Sequence, residues 1–316
     1  MKILVTGGAG FIGSHLVDAL IERKHRIVII DDLSLGRKEN LNKRAKFYRL
    51  DIQSEKITAI FKQEKFDHVF HLAAQMNVRK SVADPIFDAR VNIIGTLNLL
   101  ECSQKYKIKK FIFISSGGAM YGDTKKIPTP ESHPVNPVSP YGVSKYAIEK
   151  YLHYYQNEFG LDYTILRYAN VYGPRQNPEG EAGVIAIFLS KLLNNKQSII
   201  NGDGKQTRDY IYVKDIVRAT AMALNKKGKV FNVGTGKETD VVELFNGIVK
   251  SGGFKAKKRH GPAVRGEQRR SCLDCSKIKR QWGFRPKYNL AKGILETIQW
   301  FKHYELRDGV NRVISN

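Results

Sequence analysis

Residues 3–20 read ILVTGGAGFIGSHLVDAL, and this stretch decides the fold. A short β-branched run enters a turn in which Gly7, Gly10 and Gly13 stand three apart, and a helical pattern follows at once. Glycine permits the tight turn and lets a pyrophosphate approach backbone N–H groups at a helix N-terminus, where the dipole favours negative charge. Glycine-rich turns are common, so the context carries the weight. The next strand candidate ends in IIDDLS, with Asp31 18 residues after Gly13. A carboxylate there can accept hydrogen bonds from the adenosine ribose and disfavours the extra phosphate of NADP, so the expected cofactor is NAD.

Outward from this turn, strand candidates KILVT (2–6), RIVII (26–30), KFYRL (46–50), HVFHL (68–72), KFIFIS (110–115) and DYTILR (162–167) alternate with helical periodicity at 11–23, 86–106 and 141–158. Such alternation predicts an α/β, Rossmann-like, doubly wound parallel sheet. After Arg167 the rhythm changes to glycine- and proline-containing loops with helices near 182–194, 214–225, 239–251 and 290–304. The expected organisation is an NAD-binding domain over 1–168 and a smaller C-terminal substrate-binding lobe over 169–316. Segments DYIYV (209–213) and KVFNVG (229–234) are expected to return to the sheet.

The bulk properties exclude several classes. No apolar run reaches membrane-span length, and MKILVTGG leads straight into glycines without the h-region of a signal peptide, so a cytoplasmic protein is expected. Cys102, Cys272 and Cys275 offer one Cys-x-x-Cys pair with no second ligand pair at zinc spacing, so free thiols are expected and no metal site. The formal charge is +23, and residues 251–287 carry 12 Lys or Arg against two acids. Such a surface attracts polyanions non-specifically. Without a nucleic-acid motif or interleaved stacking aromatics, a solvated basic surface is the reading.

Residues 139–155 read SPYGVSKYAIEKYLHYY. Four residues apart on a helix, Tyr141 and Lys145 project from one face, which catalysis and simple packing would both permit. The glycine turn together with SSGGAMYG (115–122), YGVSK (141–145) and LRYANVYGPRQ (166–176) resembles the extended short-chain dehydrogenase/reductases. GEAGVIAIF (180–188) and GDGKQTRDYIYVKD (202–215) are similar to motifs of the UDP-glucose (UDP-galactose) 4-epimerase family. The resemblance covers about Lys2 to Tyr304.

The resemblance puts Tyr141 and Lys145 beside the nicotinamide. A phenol is a poor base at neutral pH, and nearby positive charge would stabilise its anion. Ser116, with Ser115 in reserve, would orient the sugar 4-hydroxyl. Around the cofactor the resemblance implies Phe11, Ile12, Asp32, Leu33, Ser34, Gly36, Asp51, Ile52, Leu72, Ala73, Ala74, Gln75, Asn92 and Tyr168. For a UDP-sugar it implies Asn170, Arg208 and Arg265 at the diphosphate, Val184, Ile199, Asn201 and Tyr210 at the uracil, and Glu267 at the uridine ribose. Ser271 would stand at a pocket wall whose size governs entry of a 2-acetamido group. The helices at 86–106 and 141–158 resemble those that pair into homodimers.

The activity implied is inversion at carbon 4 of a UDP-hexose through a transient 4-keto sugar. A nucleotide-sugar 4,6-dehydratase or decarboxylase of the same superfamily is the alternative. Dehydratases place an Asp-Glu pair after the serine or threonine, where this chain has Gly117 and Gly118. A third class, motivated by the charge, is a non-catalytic NAD-sensing or nucleic-acid-binding protein.

Overall fold

The computed structural model describes residues 1–178, 183–264 and 268–314. In chain order the strands are β1 (Lys2–Thr6), β2 (Arg26–Asp31), β3 (Lys46–Arg49), β4 (His68–His71), β5 (Lys110–Ser116), β6 (Tyr163–Tyr168), β7 (Asn170–Tyr172), β8 (Ile199–Asn201), β9 (Thr207–Arg208), β10 (Tyr210–Tyr212), β11 (Val230–Val233), β12 (Thr239–Asp240), β13 (Arg259–Gly261) and β14 (Arg270–Ser271). The helices are α1 (Phe11–Glu22), α2 (Lys56–Glu64), α3 (Val78–Ala83), α4 (Pro85–Ala89), α5 (Gly95–Lys105), α6 (Gly117–Tyr121), α7 (Pro140–Phe159), α8 (Val184–Leu193), α9 (Val213–Met222), α10 (Val241–Gly252), α11 (Ser276–Trp282) and α12 (Leu290–Ile314).

Seven strands form one sheet in the order β11-β6-β5-β4-β1-β2-β3. Every pairing in it is parallel. Alternate residues of each strand face opposite sides, and the core divides accordingly. Ile3, Val5, Ile27, Ile29, Ile112 and Leu166 pack in one apolar cluster with residues of α1 and α9. Leu4, Val28, Ile30, Phe111, Phe113 and Ile165 pack in a second with residues of α2, α5 and α7. Two buried faces explain why these strands read as continuous apolar runs. Each fully buried Leu, Ile or Phe contributes about 1.5–3 kcal/mol.

Local signals end and begin the elements that carry the site. Ser139 caps α7 by accepting a hydrogen bond from the Gly142 N–H at 3.2 Å, Pro140 occupies the first turn, and Gly160 closes the helix at φ 69°. Asp84 caps α4 in the same way through Phe87 N–H. The helix expected over 86–106 is three pieces: α4, a π-helical turn over Arg90–Ile94, and α5.

Of the two segments expected to return to the sheet, 229–234 supplies β11, which pairs with β6 at the sheet edge. The segment 209–213 does not. Its β10 pairs with β7 in a separate two-stranded sheet, because β7 follows β6 after a single residue and carries the chain off the sheet. Further on, β9 lies between β12 and β14, while β8 pairs with β13. No helix among the described residues is long and apolar enough to cross a membrane.

Candidate active site

Parallel strands bring their C-terminal ends to one edge, and the order of the sheet reverses between β1 and β4. The glycine turn lies there. Gly7 has φ +70°, and a Cβ on it would stand 2.7 Å from Ala73 N, so the turns after β1 and β4 touch backbone to backbone. A Cβ on Gly13 would stand 2.0 Å from the Gly7 carbonyl oxygen, which lets α1 start directly against the turn. No side chain caps α1. Its first N–H groups therefore remain available to an anion.

Asp31 ends β2 and is buried. Its carboxylate accepts hydrogen bonds from Ala9 N–H and Leu33 N–H, both at 2.9 Å. Burial raises its pKa, and the two amides pull the other way. Gly36 presses on the same carboxylate, since a Cβ there would lie 2.7 Å from Asp31 Oδ1. Asp32 is turned outward and holds Ser34 through backbone and hydroxyl. The bare glycine cradle, uncapped helix and acid at the second strand fit the pyrophosphate and adenosine ribose of NAD. Phe11 and Ile12 are half-buried beside the turn. Asp51 is exposed and turns onto Gln53, and Ile52 is buried under Gly95.

After β4, half-buried Leu72, Ala73 and Ala74 run along the edge. Gln75 and Asn92 are buried and tied to one another. Asn92 exchanges hydrogen bonds with the Gln75 backbone at 2.9 and 2.8 Å, and both side chains donate to Asp88, which also accepts from Ser144. This buried set fixes the loop to α4, the π-helical turn and α7. The π-helical turn accommodates Asn92, and such turns cluster at functional sites. The Tyr168 hydroxyl is buried and hydrogen-bonded to Thr220 of α9; burial raises its pKa, and the Thr220 hydrogen bond pulls the other way.

Tyr141 and Lys145 lie one turn apart on α7. Lys145 Nζ donates to the Ile114 carbonyl at 3.0 Å and lies 4.8 Å from the Phe113 ring centre and 5.8 Å from that of Tyr141. Burial lowers its pKa to about 8, while the Asp88 and Glu149 carboxylates raise it. The Tyr141 N–H donates to Ser81 Oγ at 3.2 Å. A Cβ on Gly142 would meet the Ala119 carbonyl oxygen at 2.5 Å, so α7 begins against α6, whose cap is Ser116. The two serines differ. Ser115 is buried and donates to Glu149 at 2.8 Å, whereas Ser116 is half-buried and accepts from Ala119 N–H at 3.4 Å. Ser115 is thereby committed to the fold, and the hydroxyl on the α6 side is that of Ser116.

The segment 271–273 reaches the same loop. A Cβ on Gly117 would stand 2.5 Å from Leu273, and one on Gly118 would stand 3.5 Å from Ser271 Oγ. Ser271 is in register with Arg208 across β14 and β9. Tyr210 is buried, Val184 half-buried, and Asn170, Ile199 and Asn201 are exposed. Arg265 and Glu267 lie outside the described residues, as does part of 180–188.

Residues 3–234 match the sequence pattern of the NAD dependent epimerase/dehydratase family. This chain belongs to that family. A putative UDP-glucose 4-epimerase of Methanocaldococcus jannaschii is 48% identical over 301 residues, spanning 95% of this chain and 98% of the relative. Among solved structures, the UDP-glucose 4-epimerase of Thermotoga maritima, crystallised with UDP-glucose, superposes with a TM-score of 0.95 at 49% identity, covering 96% of this chain and 99% of that one. The Thermus thermophilus UDP-glucose 4-epimerase, in complex with NAD, superposes at 0.92 with 40% identity over 96% and 99%.

Within this epimerase/dehydratase chain, sequence reasoning missed the residues that hold the functional ones. Glu149, one turn beyond Lys145, binds Ser115 and Arg167. The carboxylate of Asp209 accepts from Thr235 and Gly236, just past β11, with burial raising its pKa. The signal for Glu149 was present in the four-residue spacing Tyr141, Lys145, Glu149; nothing in the sequence marked Leu273.

Proposed function

We propose that this chain is an NAD-dependent UDP-hexose 4-epimerase, interconverting UDP-galactose and UDP-glucose. Bound NAD supplies a hydride acceptor that later returns the hydride. Tyr141 takes the proton of the sugar 4-hydroxyl, Lys145 supplies positive charge to the phenolate, and Ser116 orients the hydroxyl. The 4-keto sugar turns in its pocket and is reduced on the other face, Tyr141 returning the proton. Net redox is zero, so NAD stays bound, and binding energy resides in the uridine diphosphate so that the sugar is free to turn.

The observation that carries this reading is the contact above Gly117 and Gly118. A dehydratase needs an acid and a base there, whereas this chain has glycines at both places, and Leu273 occupies the space that a side chain at 117 would need. Incubating purified protein with UDP-galactose, without added NAD, should yield UDP-glucose by chromatography. Accumulation of a 4-keto-6-deoxy sugar would refute the assignment.

Residues 1–168 with β11 are assigned to the cofactor and 169–316 to the nucleotide sugar, with Asn170 and Arg208 toward the diphosphate and Val184, Ile199, Asn201 and Tyr210 toward the uracil. Ser271, whose small side chain adjoins Gly118, supports acceptance of UDP-GlcNAc and UDP-GalNAc as well. A homodimer is supported by apolar side chains exposed on adjoining helices: Val82, Ile86 and Ile94 on the 78–105 stretch, and Val143, Tyr151, Tyr154 and Phe159 on α7. The free thiols of Cys102, Cys272 and Cys275 suit a reducing compartment and the cytoplasm.

A further inference from the structure

A line of buried side chains that takes no part in the chemistry above joins the end of β5 to the second lobe. Glu149 accepts from Ser115 Oγ at 2.8 Å and from Arg167 Nε at 3.0 Å, and a second Arg167 nitrogen binds its other oxygen. Arg167 donates onward to the Tyr121 hydroxyl at 2.7 Å, and that hydroxyl donates to Asn232 Oδ1 at 2.9 Å. The Asn232 amide donates to the carbonyls of Thr129 at 2.9 Å and Asp274 at 3.3 Å. Thr129 in turn exchanges backbone hydrogen bonds with Cys272 and Asp274, on either side of Leu273, each at 2.9 Å.

Glu149, Arg167, Tyr121, Asn232 and Thr129 are each at most 6% exposed. A desolvated ion pair gives little net stability compared with apolar packing of the same volume, so stability alone does not account for the arrangement. What it does supply is direction, because each hydrogen bond fixes the next group in angle as well as distance. Its two ends are the strand tip that carries Ser116 and the 272–274 segment whose Leu273 sits on Gly117 and whose neighbour Ser271 adjoins Gly118.

We infer that Tyr121 and Asn232 are positioning residues, through which the Ser116 loop holds the 270–274 segment in place as the wall of the sugar pocket. The inference rests on the UDP-hexose reading, since that wall is the one facing the sugar. The same segment is hydrogen-bonded in register with Arg208, assigned to the diphosphate where the binding energy resides, so a wall held out of place also shifts that arginine and weakens ground state and transition state alike, which raises KM without lowering kcat.

Tyr121→Phe tests this, because the ring stays and only the hydroxyl shared by Arg167 and Asn232 is lost. In the NAD-bound protein, KM for UDP-galactose and the calorimetric Kd for UDP-glucose should each rise about fivefold or more, with kcat within about threefold of wild type. Retained NAD should not change. Asn232→Ser, which removes both amide bonds without adding bulk, should act in the same direction and serves if the first variant folds poorly. Folded variants with KM and Kd within about twofold of wild type would overturn the inference, leaving a structural role only. So would a fall in kcat at constant KM, which would locate the effect at Ser116 instead of the wall. If wild type binds UDP-glucose but does not interconvert the sugars, the epimerase reading fails and the Kd comparison still decides the inference. Wild type that does not bind UDP-glucose at all overturns both.

Discussion

Replacing Lys145 by Met should make the protein more stable while abolishing its turnover. Burial holds the Lys145 pKa at about 8 instead of 10.5, against the raising effect of Asp88 and Glu149. That difference in proton affinity corresponds to a penalty of about 3 kcal/mol for carrying the ammonium inside the folded protein. Below pH 8 both states hold the proton and the penalty is felt in full. Between pH 8 and 10.5 the unfolded chain keeps a proton that the folded one has released, so stability climbs with pH, and above 10.5 the penalty is gone. Methionine removes the charge but also the donor to the Ile114 carbonyl, a loss of about 1 kcal/mol. The net gain at pH 7 is therefore about 2 kcal/mol, turning into a deficit of about 1 kcal/mol near pH 10.5. Urea unfolding of cofactor-free wild type and Lys145→Met at pH 7, 9 and 10.5 measures this directly. A variant less stable than wild type at pH 7, or a difference that does not change with pH, would refute the reasoning.

Tyr141→Phe should lower turnover by a factor of about a hundred or more while NAD remains bound, read from the absorbance of the purified protein and its initial rates. Gly117→Ala should cost about 1–3 kcal/mol, because its methyl must displace Leu273; a melting temperature equal to wild type would count against that contact. Ser271→Tyr should cut kcat/KM for UDP-GlcNAc at least about tenfold more than for UDP-glucose, and an unchanged ratio removes Ser271 as the gate.

The cofactor half of the molecule was legible because its signals are local. Gly7, Gly10 and Gly13 form the turn in the order the sequence presents them, and Asp31 meets Ala9 and Leu33 through hydrogen bonds within 22 residues of chain. The return of β11 to the sheet was also legible, since a short apolar run with β-branched residues closed by Gly234 is a strand signal. The substrate side was less so. Whether 209–213 joins the main sheet depends on where β7 leads, which no periodicity encodes. The partners that hold Tyr168 and Asn92 in place, Thr220 and Gln75, lie 52 and 17 residues away, and no local pattern marks them. What separates Ser115 from Ser116 is Glu149, 34 residues on from Ser115, which accepts from the hydroxyl of Ser115, and no local pattern announces that partner.

The contact between Gly117 and Leu273 also constrains how this chain can change over evolutionary time. A side chain at position 117 and the leucine at 273 compete for the same volume, although 156 residues separate them in the chain. An acidic residue introduced first at 117 would meet an apolar wall at under van der Waals distance and bury a charge without a partner. Trimming Leu273 first opens the space at the cost of a cavity, about 2–5 kcal/mol for a buried leucine, and only then does a carboxylate at 117 have room. The passage from epimerase to dehydratase chemistry on this scaffold is thus ordered, with the permissive step at position 273 and the chemical step after it.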